Sequence, residues 1–589
     1  MLRTLGFQVL AFPTIVVALA STTFFFGGTC ALWQWYLGLG LTLTLPIVWL
    51  HAVRPVARAA LCLLGILALM RIGQVFAIDW AGSSDLAVCH IPLIRMLTEG
   101  WNPVTDPTGE AFCVGRGLWI WDMYYYHAVF SPRAYAVFNA VAYHFSRDPF
   151  AVTYPVIHFL MLAFILKAID EFRHLHWSVG LVFALVTAFG IGFYLRMPAD
   201  AAVTFSSGGM LLSLFGSLRR RTVDWCGFSL FGVWLLNVKF AGTIFFLAVL
   251  CLILLVVLVR RSEWKPHSAA LVLGTLALVF AGTALFSFSP FVTSWRKFGH
   301  PLYPARTGDV QRYPERNPIW DFEPANDDAR RMGHIGSFVN AYASPRLTRA
   351  YYNWSLGRTD FAPKRYVWDK RHGQKTAPLS FGERLALMLS LCVLLFSPRL
   401  RLMGLLHFVL LLSFPDELMG YLRYQPWVYT FESMALTAVA LFLSGFLDRW
   451  RWRVWILAGC GLSVIIPLKM GLSWRHAFEK AKELNCDWTA RTYVVPSYKN
   501  NPNMRLPPNV EACRGYYAQP EGSVIRRNNM KLLCLQMGVE DPDIRPDDRP
   551  WRELGPHYRG FGYGVEPLRG SYDAVGCRGS DKTKSGGER

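Results

Sequence analysis

The chain is short of charge. Of its 589 residues only 17% are Asp, Glu, Lys or Arg, while 53% are hydrophobic and the mean hydropathy is +0.27; an ordinary soluble domain carries about a quarter charged residues. Acidic residues are the scarcer kind, 40 against 60 basic ones. A basic excess can mark a nucleic-acid binder, but here the Arg and Lys stand in short clusters between long apolar runs. That placement argues against a nucleic-acid groove and reads as membrane topology. Cysteine is sparse too: there are 12 and no CxxC pair, so no zinc site is expected. No internal repeat of about 20–50 residues is present. No small-residue cleavage site follows the first apolar run, which is therefore expected to stay as a membrane helix.

What the chain has in abundance is apolar sequence in lengths that suit a bilayer core, about 20 residues per helix. Reading each run as a helix and each basic cluster as a cytoplasmic turn predicts an all-α polytopic membrane protein with about 13 transmembrane helices. Spans are expected at 5–28 and 30–53, joined at Gly27-Gly28-Thr29, then at 59–78, 150–170, 177–195 and 202–217. A hairpin over 226–259, interrupted at Asn237-Val238-Lys239, precedes spans at 268–288, 384–397, 402–415, 427–446 and 454–472. This arrangement places Arg54, Arg58, Arg219 to Arg221, Arg260, Arg261, Arg399, Arg401 and Arg449 to Arg453 in the cytoplasm. The N-terminus is then cytoplasmic and the C-terminus extracytoplasmic.

The same reading divides the chain into an N-terminal transmembrane hairpin (1–58) and a transmembrane domain (59–472) with outside loops at 79–149 and 289–383. A small extracytoplasmic domain (473–589) ends in a polar tail expected to be disordered. The outside loops are expected to be partly helical and to lie along the surface. Cys486, Cys513, Cys534 and Cys577 all fall in the terminal domain, where an oxidising compartment would favour two disulfides, and Cys89 with Cys113 could form another. Free thiols are the alternative.

Asp85 stands just past the third span, where lipid, solvent and an acceptor can meet. Sugar transfer from a phosphate-linked donor needs a base to deprotonate the acceptor hydroxyl and cations to hold the leaving phosphate. Asp85 suits the base, and it equally suits the N-cap of a helix beginning near Leu86. His90 either orients a substrate or packs at the interface. Trp101, Trp119, Trp121 and Tyr124-Tyr125-Tyr126 form a dense aromatic group, usable for stacking on a sugar or as a headgroup-level belt. Arg133, Arg296, Lys297 and Arg423 all fall near the outside surface, available to a lipid phosphate through charge-assisted hydrogen bonds or to ordinary headgroups. Arg71 and Lys239 sit close to or inside apolar runs, where an ionised group is costly unless it pairs or reaches the interface; Lys239, at a hairpin tip, is expected to reach it. Asn353-Trp354-Ser355 is a glycosylation acceptor sequence.

Asp85, His90 and Pro92, with Gly100-Trp101-Asn102-Pro103 downstream, resemble the first periplasmic loop of bacterial GT-C membrane glycosyltransferases, the superfamily that includes protein O-mannosyltransferase-like enzymes. Tyr143 to Phe150, Leu236-Asn237-Val238-Lys239-Phe240-Ala241-Gly242, Ser294 to Pro304 and Arg423-Tyr424-Gln425-Pro426 are similar to further segments of that family, in order, over about residues 60–446. The resemblance implies a GT-C-like helical domain using a polyprenyl-phosphate sugar donor, with Asp85 as base. It implies a glycan, lipid or protein acceptor. No cofactor is expected, and no metal either, because no cluster of carboxylates surrounds Asp85, although Asp106 or Asp122 could fold back to make one. The candidate substrate-binding set is His90, Asp122, Arg133, Arg296, Lys297, Arg423 and Tyr424. The chain departs from the family where many relatives carry two adjacent acids: Ser84 precedes Asp85, and the next carboxylates are Asp106, Glu110 and Asp122. Two spans also precede the helix that should be the family's first. A transporter or flippase of lipid-linked saccharide, and a non-catalytic scaffold for envelope assembly, are the rival readings.

Overall fold

The computed structural model describes residues 2–50, 53–74, 91–115 except 108, 132–146, 155–191, 198–298, 334–339 except 337, 381–413 except 399, and 425–465, together with two short strands. The described part is helical apart from those strands, Thr492–Pro496 and Asp543–Asp547, which pair in parallel. The helices are α1 (Leu2–Phe25), α2 (Leu32–Leu50), α3 (Val53–Gln74), α4 (Ile91–Thr98), α5 (Glu110–Gly115) and α6 (Ala134–Ser146). They continue as α7 (Pro155–Phe172), α8 (Trp177–Ile191), α9 (Pro198–Arg220), α10 (Trp225–Val238), α11 (Ala241–Val259), α12 (Ser268–Phe286) and α13 (Thr293–Phe298). After these come α14 (Phe381–Phe396), α15 (Arg401–Leu412) and α16 (Val428–Ser444), and a final helical run, α17, over 451–465.

Five helical stretches are long and apolar enough to cross a bilayer: Thr4–Phe25, Ala199–Arg220, Ala241–Val259, Ser268–Phe286 and Val428–Leu447. Shorter apolar helices accompany them at Trp177–Ala188, Trp225–Val238, Leu385–Phe396 and Arg401–Leu412. The interruption expected at Asn237-Val238-Lys239 falls where α10 ends and α11 begins: Lys239 takes an extended conformation (φ −153°, ψ 141°). At Val53 the structure departs from the expected turn, because Arg54 and Arg58 lie on the exposed side of α3 instead of between helices. A long arginine stem can cover an apolar helix while its head reaches water, so the helix need not stop.

α1 is the hub. It packs against α2, α3, α6, α7, α10 and α12, and Val9, Phe12, Val16, Val17 and Ala20 are fully buried on it. Phe12 meets Trp35 edge-on at 4.9 Å and lies 5.2 Å from Phe159, while Trp35 stacks on Phe145 at 4.9 Å. These rings tie α1, α2, α6 and α7 together, and the Trp234 indole N–H donates to Thr14 Oγ1 at 2.9 Å to add α10. Lipid tails are as apolar as leucine, so such close packing and interhelical hydrogen bonds supply the cohesion that water exclusion supplies in soluble proteins.

α6 lies in the segment expected to rest on the surface, and it is instead buried. Its exposed neighbours are few because Ala134, Ala136, Ala140 and Ala142 let it approach α1, α2 and α4 closely. At 13 residues it is about 20 Å long, too short to span the hydrocarbon core. Glycines permit similar approach between α7 and α8: a Cβ on Gly180 would overlap the Ala168 carbonyl and come within 2.7 Å of Ile169 Cα. Backbone cannot move aside as a side chain can, so Gly180→Ala should cost about 3 kcal/mol, the upper part of the overpacking range. Thermal unfolding of the purified variant in detergent measures it, and an unchanged transition temperature would show that the two helices can separate freely.

Candidate functional site

The two ends of the bundle differ in chemistry. At one end the α7 carboxylate Glu171, with no exposed side-chain surface, accepts from Lys167 Nζ at 2.8 Å, from Arg220 at 2.7 and 2.9 Å and from Arg219 at 3.2 Å. Lys167 also pairs with Asp224, which caps α10 by accepting from the Gly227 amide. Burial alone would raise the Asp224 carboxyl, but the charge and hydrogen bond of Lys167, a hydrogen bond from Ser213 and the charge of Arg220 outweigh it and hold it below its ordinary value. Arg221 pairs with Glu263 at 2.9 Å, and the His176 ring stacks on Trp452 at 5.1 Å. The basic turns after α7, α9 and α11 and the one before α17 are thereby gathered together.

The opposite end is built from the stretch that follows α4. Asn102 donates from one amide nitrogen to the Phe24 and Gly28 carbonyls at 2.9 and 2.8 Å, and its Oδ1 accepts from the Val104 and Thr105 amides. One side chain thus ties this loop to the α1–α2 turn, where Gly27 adopts φ +77°, a conformation that glycine reaches without the Cβ strain other residues meet. Beside it Trp101 is buried, its indole N–H donating to the Asp106 carbonyl at 2.8 Å. The Asp106 carboxylate accepts from the Phe112 amide at 2.9 Å, as a cap for α5.

Arg133, at the amino end of α6, lies 5.0 Å over the Trp101 ring and donates to Ser289 Oγ at 2.9 Å. Ser289 belongs to a π-helical segment, Phe288–Val292, whose Phe291 meets Phe240 edge-on at 5.6 Å. Next to Phe240, Lys239 pairs with Asp200 of α9 at 2.5 Å. One turn along α9, the Thr204 hydroxyl donates to the Pro426 carbonyl at 3.1 Å. Contacts therefore run from Trp101 through Arg133, Ser289, Phe291, Phe240, Lys239 and Asp200 to Thr204 and Pro426, joining six separate stretches of chain.

Among the expected site residues, Arg133 is inside this chain of contacts, with 1% of its surface exposed, where a position near the outside surface was expected. Arg296 is exposed on α13, its guanidinium 5.8 Å over the Phe288 ring. Of Lys297 the backbone in α13 is described and the side chain is not. Asp85, His90, Asp122, Arg423 and Tyr424 lie outside the described residues, as do Trp119, Trp121, Tyr124 to Tyr126, Cys89, the four cysteines of the terminal segment and Asn353; the Arg71 side chain does too. Trp101 belongs neither to a belt nor to an open stacking surface, since Arg133 covers it. Lys239, expected to reach the interface, pairs with Asp200 and keeps 22% of its side chain exposed. The sequence held a trace of this pair: Asp200 opens a helix just after Pro198, where an acid favours the helix amino end. No spacing rule links it to a lysine 39 residues later.

Helices of this length and apolarity, packed through buried polar contacts and carrying exposed Leu255, Leu258, Leu273, Leu278, Leu436 and Phe442 on their outer faces, define an integral, multi-pass membrane protein. Comparison with family models, with curated proteins and with solved structures finds no match to this chain.

Proposed function

We propose that the chain is a glycosyltransferase that moves a sugar from a polyprenyl-phosphate donor to a glycan, lipid or protein acceptor on the non-cytoplasmic face of a bacterial inner membrane. One observation supports this reading above the others: segments quoted for the GT-C resemblance, far apart in sequence, meet at the end of the bundle away from the basic turns. They are the loop of Trp101, the break at Lys239 and the turn that ends at Pro426, linked through Arg133 and through Ser289 and Phe291, just ahead of the stretch that begins at Ser294. An end of this kind, cationic and at the edge of the hydrocarbon, suits a lipid-linked phosphate whose tail stays in the membrane. Asp85 is the base, taking the proton from the acceptor hydroxyl as its oxygen attacks the sugar's anomeric carbon, and the phosphate leaves on the lipid. Arg423, Tyr424, Arg296 and Lys297, with His90 and Asp122, line the donor and acceptor paths. Arg133 acts at one remove, holding Trp101 against Ser289.

The reading includes about 13 spans, N-terminus inside and C-terminal domain outside. Purified protein incubated with a panel of polyprenyl-phosphate sugars and membrane acceptors tests the activity by product analysis; absence of transfer from every donor, with intact folded protein, would refute it. The topology has its own check. Single cysteines at positions 220 and 451 should stay unlabelled by an impermeant reagent in intact cells, and labelling at either would invert the arrangement.

A further inference from the structure

At the basic end most of the central cations already have an acid: Lys167, Arg219 and Arg220 meet Glu171, and Arg221 meets Glu263. The two arginines that open α17 are different. Among the described residues no carboxylate pairs with either, and each guanidinium lies against an indole, Arg451 at 4.8 Å over Trp452 and Arg453 at 5.0 Å over Trp450. Arg451 also makes a long contact of 3.5 Å to the Leu441 carbonyl, and its buried Nε has no hydrogen-bond partner. The tendency of cytoplasmic turns to be basic accounts for finding cations at this end. It does not account for two of them being held on rings and left with their full charge.

The seat of α17 shows what those charges face. On its inner side the Trp455 indole N–H donates to Ser444 Oγ at 3.0 Å, and a Cβ on Gly459 would stand 3.2 Å from Leu181, so α17 lies against the end of α16 and against α8. Its outer side is one exposed stripe at helical spacing, in which Arg453 and Val454 are followed by Leu457 and Val464. Trp450, 61% exposed, stands at the head of this stripe beside Arg453, and Phe442 and Phe446 extend the apolar surface along α16. Charge, indole and hydrocarbon thus follow one another along one face. A phospholipid has the matching order, with its phosphate at the headgroup level where indoles settle and its tails below. Free phosphate would meet the arginines and leave the stripe unused.

We propose that Arg453 and Arg451, with the Trp450 ring, hold the phosphate of one anionic phospholipid whose tails lie along Val454, Leu457 and Val464. The rings fix the guanidiniums in place without neutralising them, as an acid would, so their donors stay available for charge-assisted hydrogen bonds to the phosphate. The site is independent of the transferase reading and stands at the other end of the bundle from it.

Native mass spectrometry of the full-length protein in detergent tests this, by titrating phosphatidylglycerol, phosphatidylcholine with the same tails, and inorganic phosphate as separate arms. One phosphatidylglycerol should be retained at a concentration at least about fivefold below that needed for phosphatidylcholine, since each basic residue near the surface adds about that factor for an anionic lipid. Arg453→Gln should raise the phosphatidylglycerol midpoint about fivefold and leave that of phosphatidylcholine unchanged. Arg453 is exposed, so the variant should fold, which its thermal unfolding checks. Arg453→Lys, which keeps the charge, should restore most of the preference. Arg221→Gln is the comparison, an arginine of the same end that already has Glu263 at 2.9 Å, and it should bind like the unaltered protein. Equal retention of the two lipids overturns the proposal. So does an equal loss in Arg221→Gln and Arg453→Gln, which would make the preference a property of the whole basic surface. Release of the lipid by millimolar inorganic phosphate would assign the arginines to a free anion and overturn it as well.

Discussion

Asp85→Asn is expected to abolish sugar transfer, a loss of about 100- to 10,000-fold in rate, with expression and folding unaffected. The substitution keeps the size of the side chain and most of its capacity to cap a helix, so the quantity removed is the proton acceptor, and general-base loss falls in that range. Arg423→Ala should act differently, raising the donor concentration needed for half-maximal rate, because a phosphate partner is lost and the base is retained. Turnover measured against donor concentration separates the two. Near-normal turnover in Asp85→Asn would make Asp85 a cap and move the search for a base to Glu110 and Asp122. Asp106 is a poorer alternative, since its carboxylate already accepts from the Phe112 amide.

Glu171→Gln should be the most damaging change at the basic end. The carboxylate is fully buried and meets three cations, and removing one member of a buried ionic cluster costs about 3–5 kcal/mol because the remaining charges lose their compensation. The lower figure applies here, since Arg219 and Arg220 keep 29% and 32% of their side chains exposed and part of their charge is met by water. Thermal unfolding in detergent gives the size of the effect. Arg260→Ala is the control: its partner Glu263 is 4.0 Å away and the two side chains are 56% and 44% exposed, so the stability change should be within about 0.5 kcal/mol. Comparable losses in both would mean that the buried cluster is no stronger than a surface pair. The pH dependence follows from the neighbouring Asp224. Its folded carboxyl lies below the ordinary 3.8, so its contribution is fully present above that value and is lost as pH falls through the lower folded one. Stability should thus hold through mildly acidic pH and decline only below about 4.

The five long apolar helices were readable in the sequence because a bilayer imposes length and apolarity on each helix separately, without reference to its neighbours. The break at Lys239 was readable for the same reason: a run from Cys226 to Val259 is too long for one crossing. α6 was not, because a 13-residue helix with alanines all around it carries neither the length of a span nor the one-sided pattern of a surface helix. Its burial is decided by what surrounds it. The partners of Lys239 and Asn102 were hidden in the same way, since Asp200 and the Phe24 and Gly28 carbonyls are brought to them by the packing of whole helices. Trp101 and Arg133 were both picked out as candidates for ligand contact, yet each finds the other. An aromatic ring and a guanidinium near the membrane surface have the same composition whether they serve a ligand or one another, and residue type alone does not separate the two.

α1 leaves the ribosome long before the helices that bury it. Its inward face carries the apolar Val9, Phe12, Val16 and Val17, and beside them Thr14, which receives a hydrogen bond from Trp234, 220 residues later. Until α10 and α12 have entered the membrane, this face is open to lipid and lacks both the close packing and the interhelical hydrogen bond that hold it in the finished bundle. Biogenesis of this protein is therefore a waiting process. Nascent chains that end before α10 should be held by insertion factors or degraded, and a longer N-terminal fragment should become protease-resistant only once α12 has joined α1.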